Sequence, residues 1–268
     1  MTKCSYGFLA LTLACLTLTG DATAQDTLED QGLQIALAAD ARDQGFQDSD
    51  ASLLMVLTNA DGASSEREMR QQTLERTDPG KGDWSLVTFD RPRDVQGTAL
   101  LSYSNILEPD DQWLYLPALK RVKRISSSNK SGPFVGSEFA YEDLTAFEVK
   151  KFSYRYLRDE ICGELTCHVV ERIPQYENSG YTRQIVWYDT DHMRDQKIEY
   201  YDRKDELLKT LTLTDYRLYL DAFWRAHRLN MVNHQAQKST ELIIEGDYQF
   251  KTGISDDNFK PSALSRLR

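Results

Sequence analysis

The spacing of apolar positions changes once along the chain. Over residues 26–46, Leu28, Leu33, Ile35, Ala36, Leu37 and Ala39 recur at roughly helical intervals, with Asp and Glu in the first turn. This predicts a helix that stops at Gly45-Phe46. After that the period is two. Ser52 to Thr58 reads as a strand, Asn59-Ala60-Asp61-Gly62 as a turn, and Glu66 to Glu75 as the returning strand. Further strands are predicted at 84–89, 99–107, 113–117 and 120–125. A loop rich in Ser, Gly and Asn follows at 126–136. A short helix is expected over 137–146, with Ser137 as its N-cap and Glu138 in its first turn. Strands then return at 152–156, 167–173, 181–188, 197–202, 207–216, 223–235 and 239–245, and 256–261 reads as the start of a short helix.

Short strands linked by turns and preceded by one helix indicate a mainly β protein built on an antiparallel sheet. No helix-strand alternation supports a parallel α/β fold. A sheet this wide must curl or close, and the N-terminal helix is a natural cover for its concave face. No fixed-period repeat or flexible linker divides the chain, so a single domain is expected over 25–268.

The N-terminus changes the picture of where this domain works. Lys3, an apolar run from Phe8 to Leu18, Gly20 and the small residues Ala22-Thr23-Ala24 have the layout of a signal peptide cleaved after Ala24. The run is too short to span a bilayer comfortably as a retained anchor. Cys4 and Cys15 leave with that segment, and Cys162 and Cys167 remain. An even pair in an exported chain predicts one disulfide, here across a hairpin end at Gly163-Glu164. A redox or metal pair is disfavoured, since the spacing is not Cys-x-x-Cys.

Of the 268 residues, 42 are acidic and 32 are Lys or Arg, giving a net charge of -10. That field is wrong for a general nucleic-acid binder. There is no nucleophile elbow, no His-Glu-x-x-His, no phosphate-binding loop and no dinucleotide fingerprint. His168, His192, His227 and His234 are scattered, and no pair of carboxylates stands out for acid-base work. The expectation is therefore no enzyme, no cofactor and no metal. The aromatic residues, 14 Tyr, 10 Phe and 4 Trp, fall largely on alternating strands. They serve either ordinary cross-strand packing or a greasy cavity inside a curled sheet. Lys120, Arg121, Lys123, Arg124 and Lys130 form a basic cluster in an acidic chain. It reads either as an edge strand kept soluble by charge or as a contact for an anionic head group or acidic partner.

Three stretches carry a resemblance. They are Pro92 with Gly97-Thr98-Ala99-Leu100-Leu101, the run from Asp111 to Ile125, and the run from Gly136 to Leu144. Together they resemble the LolA-like outer-membrane lipoprotein-sorting proteins, and within them the subgroup associated with RND/MMPL-type exporters. Glu138 stands where that subgroup's motif has Asp. The resemblance implies a LolA/LolB-like half-open antiparallel β-barrel with a helical lid. It also implies a periplasmic carrier that shelters acyl chains of a lipoprotein or lipid; a monomer is expected. On this reading Leu114, Leu116, Phe134, Phe139, Tyr141 and Leu144 are expected at the cavity or lid. Lys120, Arg121, Lys123 and Arg124 are expected at a head group or partner, with Asp143 pinning the lid through one of them. Two alternatives stand beside it: an accessory protein that docks on an RND/MMPL-type exporter without cargo, and an enzyme acting on lipids or envelope polymers.

Overall fold

The computed structural model describes Met1 and residues 20–266. Most of the expected signal segment, residues 2–19, lies outside the described residues. The first element is helix α1, Gly20–Ala41. It crosses the expected cleavage position after Ala24.

Thirteen strands follow. They are β1 (Asp48–Thr58), β2 (Ser64–Leu74), β3 (Lys81–Arg91), β4 (Ala99–Asn105), β5 (Asp111–Leu116), β6 (Arg121–Arg124), β7 (Phe152–Cys162), β8 (Leu165–Pro174), β9 (Arg183–Asp189), β10 (Asp195–Tyr201), β11 (Leu207–Tyr219), β12 (Phe223–Asn233) and β13 (Lys238–Phe250). All join one antiparallel sheet in the order β6-β5-β4-β3-β2-β1-β13-β12-β11-β10-β9-β8-β7. The chain is thus two meanders, β1 to β6 and β7 to β13, joined where the first strand pairs with the last. The edges are β6 and β7, and they do not pair, so the sheet stays open.

The sheet curls around one face. Every strand except β6 sends a side chain into a single apolar cluster, among them Leu53, Met69, Phe89, Leu100, Leu114, Tyr154, Val170, Val186, Ile198, Leu211, Met231 and Leu242. Strands from both ends of a flat sheet could not share one cluster. The outer face is covered in places. Leu86, Ala99 and Leu101 pack under Phe259 and Leu264 of the C-terminal segment, and Cys167, Val169, Ile185 and Trp187 form a separate patch. This two-sided burial explains why β4 is buried at every position but Tyr103.

Helix α1 packs on the edge strand β7 through Ile35 and Ala36, both buried. Gly32 permits this approach: a Cβ there would stand 2.7–2.9 Å from backbone atoms of Arg155 and Tyr156. The disulfide Cys162–Cys167 closes the β7–β8 hairpin, as the sequence predicts, and it fits an extracytoplasmic location. Among the described residues no helix is long and apolar enough to cross a membrane.

The helix expected over 137–146 is absent. The segment holds a 3-10 turn at Tyr141–Leu144. Ser137 caps no helix; its Oγ lies 3.3 Å from the amide of Phe139 and accepts its N–H. Phe134 and Phe139 close a tight turn on each other, with Phe134 N donating to Phe139 O at 2.7 Å. Backbone groups engaged in that turn cannot also serve a helical ladder.

Candidate functional site

The chain from β6 to β7 connects the two open edges. It crosses the concave face on the way and reaches the middle of the sheet. Glu138 N donates to Thr240 Oγ1 of β13 at 2.9 Å, and its Oε2 accepts from Asn233 Nδ2 of β12 at 2.7 Å. Its carbonyl accepts from Lys209 Nζ of β11 at 2.9 Å. Asp143 accepts from Lys209 at 2.6 Å, from the Tyr181 hydroxyl at 2.8 Å and from the Ala140 amide at 2.6 Å. Glu142 accepts from Ser179 Oγ and Gly180 N at 2.9 and 2.8 Å. The crossing segment is therefore held by charge-assisted hydrogen bonds at several points.

Two cavities remain on the concave side, of about 650 and 450 Å³. They share Ala146, Phe147, Glu148, Asp195 and Leu213, so they adjoin as two lobes on the concave side. The first lobe opens beside the C-terminal end of α1, with exposed Arg42, Asp43 and Gln44 at its rim. Trp224, Tyr248, Leu229 and Met193 supply its apolar wall. The second opens beside Leu107 and Glu108, both exposed, and is walled by Phe147, Phe152, Ile198, Leu211 and Tyr200. Each volume falls within the range of an ordinary small-molecule pocket, roughly 300–1,000 Å³.

The lining is amphipathic. Arg172 and Asp195 reach the space from β8 and β10. Arg172 is buried and lies over the rings of Phe147 and Phe152, 4.7 and 5.1 Å from their centroids. Burial pushes the Asp195 carboxyl up to about 6, against the pull of Arg172. Burial likewise lifts Glu148 to about 7 and Asp83 to about 6 at the first lobe. Among the described residues no group of His, Cys, Asp and Glu side chains could hold a metal ion.

The residues singled out from sequence fall into two places. Phe134, Phe139 and Leu114 are buried in the main core, and Leu116, Tyr141 and Leu144 pack against it. Phe134 meets Phe89 and Tyr141 at ring distances of 5.6 and 5.8 Å. None of the six is among the residues lining the lobes. The lining begins in the same segment with Glu142 and Asp143 and continues through Thr145 to Glu148. Asp143 does pin the segment, but its partner is Lys209 and not one of the four basic residues named with it. Lys120, Arg121, Lys123 and Arg124 are exposed, the last three on the edge strand β6. Arg124 pairs with Asp111. Lys130 leaves the cluster: it is buried and its Nζ donates to the Asp110 carbonyl at 2.6 Å.

Comparison with known proteins places this architecture. A Vibrio parahaemolyticus domain named as an outer membrane lipoprotein-sorting protein has a crystal structure that superposes with a TM-score of 0.86, at 53% identity over 89% of this chain and all of its own. The chain belongs to the LolA-like lipoprotein-sorting family. A DUF1329 family protein from Desulfovibrio piger aligns with a TM-score of 0.83 and 29% identity, covering 88% of this chain and 99% of its own. A LolA superfamily protein from Nitrosomonas europaea shares the fold, with a TM-score of 0.67 and 19% identity over 85% of this chain and 97% of its own. A family model described as an uncharacterized protein matches residues 81–266. No protein of curated function matches the chain. The half-open barrel expected from sequence is thus the fold of this family.

Proposed function

We propose that this family member is a non-enzymatic periplasmic carrier that shelters acyl chains of a lipoprotein or lipid. The observation that carries this reading is the pair of adjoining lobes on the concave face, walled by aromatic and aliphatic side chains and open at exposed rims. An acyl chain gains about 0.8 kcal/mol for each methylene taken from water, so a cavity and a closing segment suffice without catalytic chemistry. The naming of the Vibrio relative as a lipoprotein-sorting protein supports the same class of role. In this reading the signal segment is cleaved after Ala24, and 25–268 works as one monomeric domain. The segment bearing Phe134, Phe139, Tyr141 and Leu144 closes the space, anchored in the core that Leu114 and Leu116 help build. Lys120, Arg121, Lys123 and Arg124 meet the cargo's head group or a partner.

The test is mass spectrometry of an organic extract of the protein, purified from periplasm without detergent. Stoichiometric acyl lipid or lipopeptide is the expected result. An empty protein that also takes up no apolar fluorescent probe would sink the carrier reading.

One observation favours a second reading, docking on an RND/MMPL-type exporter. Strand β6 is an open edge, and among the described residues Arg121 and Lys123 on it and Lys120 just before it form no ion pair. A stable transporter partner recovered without lipid would support it.

A further inference from the structure

The junction of the two lobes holds polar groups that an esterified acyl chain has no use for. Arg172, Gln184 and Tyr188 lie on the concave sides of the paired strands β8 and β9, and all three are buried, at 7%, 4% and 2% exposure. The Arg172 Nε donates to Gln184 Oε1 at 2.5 Å. Beyond that bond the guanidinium meets the Tyr188 hydroxyl without ordinary hydrogen-bond geometry, and among the described residues it forms no ion pair within 4 Å. The rings of Phe147 and Phe152 flank the guanidinium without supplying an acceptor. The Tyr188 hydroxyl is buried, and Arg172 is its neighbour rather than a well-aligned donor to it. Asp195 carries a carboxylate on the neighbouring strand, yet it is not within ion-pair reach of Arg172. A buried guanidinium with donors left over is costly unless something accepts from them. Arg172 and Gln184 line one lobe, Tyr188 lines the other, and Phe147 lines both.

From this arrangement we infer that Arg172, oriented by Gln184 and joined by the Tyr188 hydroxyl, is an anion seat for the carboxylate of a free long-chain fatty acid. The planar fork of the guanidinium matches a carboxylate in a bidentate pair. The alkyl tail would then lie along the apolar wall of a lobe. This inference rests on the carrier reading and narrows its cargo from acyl chains in general to chains with a free anionic end.

The experiment compares cis-parinaric acid with its methyl ester, two fluorescent probes that differ only at the carboxyl group. Delipidated wild-type protein is expected to bind the acid about tenfold or more tighter than the ester, the discrimination that a hydrogen bond between charged groups gives. Arg172→Met is expected to lose that preference while keeping its affinity for the ester. The wild-type comparison stands even if Arg172→Met does not fold. Tyr188→Phe, which deletes a single oxygen, is the second variant and should narrow the preference. Equal binding of acid and ester by wild type would overturn the seat and leave the carrier reading intact. A folded Arg172→Met that keeps the preference would also overturn it. Binding of neither probe would remove the carrier reading itself, and the seat with it.

Discussion

Asp143 and Lys209 are each 4% exposed and lie 2.6 Å apart. Replacing Lys209 with Met should cost about 3–5 kcal/mol, because it strands a buried carboxylate. The double variant Asp143→Asn/Lys209→Met should recover a good part of that loss. Urea unfolding of the three variants checks both statements. Phe134 is fully buried against Phe89, and Phe134→Ala should cost about 3–5 kcal/mol by the same measurement. Phe139 and Tyr141 are legible because they sit in the family motif at 136–144, and Phe134 lies just before it. Sequence misassigned the partner of Asp143, since Lys209 is distant in the chain and reaches it only through the curl of the sheet. Arg172 went unnoticed among ordinary surface charges. A signal was present: Glu171 and Arg172 are consecutive on a strand, so they must face opposite sides of the sheet. Both sides are buried there, and one charge was bound to point inward.

Among the elements, α1 depends on one missing side chain. Gly32→Ala would drive a Cβ into the β7 backbone, which cannot yield as a flexible side chain does. The expected loss is about 1–3 kcal/mol, with faster amide exchange along α1 and β7. The disulfide belongs to this scale as well. Its ends are five positions apart, and a loop that short should contribute about 2 kcal/mol in the chain-entropy account. Cys162→Ser/Cys167→Ser should lower stability by that amount in thermal unfolding. On β6, Lys123→Glu/Arg124→Glu should weaken association with anionic vesicles or an acidic partner and leave the circular dichroism spectrum unchanged; unchanged binding would remove β6 from the contact. The strands were legible because period-two alternation and turn residues mark them locally. The segment 137–146 was not, because its apolar residues answer to the concave core rather than to a helical face of their own.

For the whole molecule, the curl creates a recessed space that holds carboxyls reluctant to ionise. Burial raises Asp83 and Asp195 to about 6 and Glu148 to about 7. Their folded values exceed those of the unfolded chain, so ionising them costs stability. The cost is absent below the unfolded range, grows as pH rises through it and is complete above the folded values. Asp48 has the opposite sign: burial pulls its carboxyl upward, but hydrogen bonds from Thr252 and Gly253 outweigh that and lower it. Its contribution is lost in acid. Stability should therefore rise as pH falls from 8 and peak near about pH 5, read as the midpoint of thermal unfolding in a pH series. The fold class was legible as a whole, whereas the lobes were not, because their walls draw on both meanders and on the chain between them. The pairing of β1 with β13 adds a consequence for how the chain is made. The strand made first waits for the strand made last, so the N-terminal meander is synthesised with β1 as an open edge that becomes the middle of the finished sheet. A chain stopped before Lys238 would leave the edges of β1 and β12 bare. Such an intermediate needs protection from aggregation until synthesis ends, and a sheet assembled this way should be slow to form.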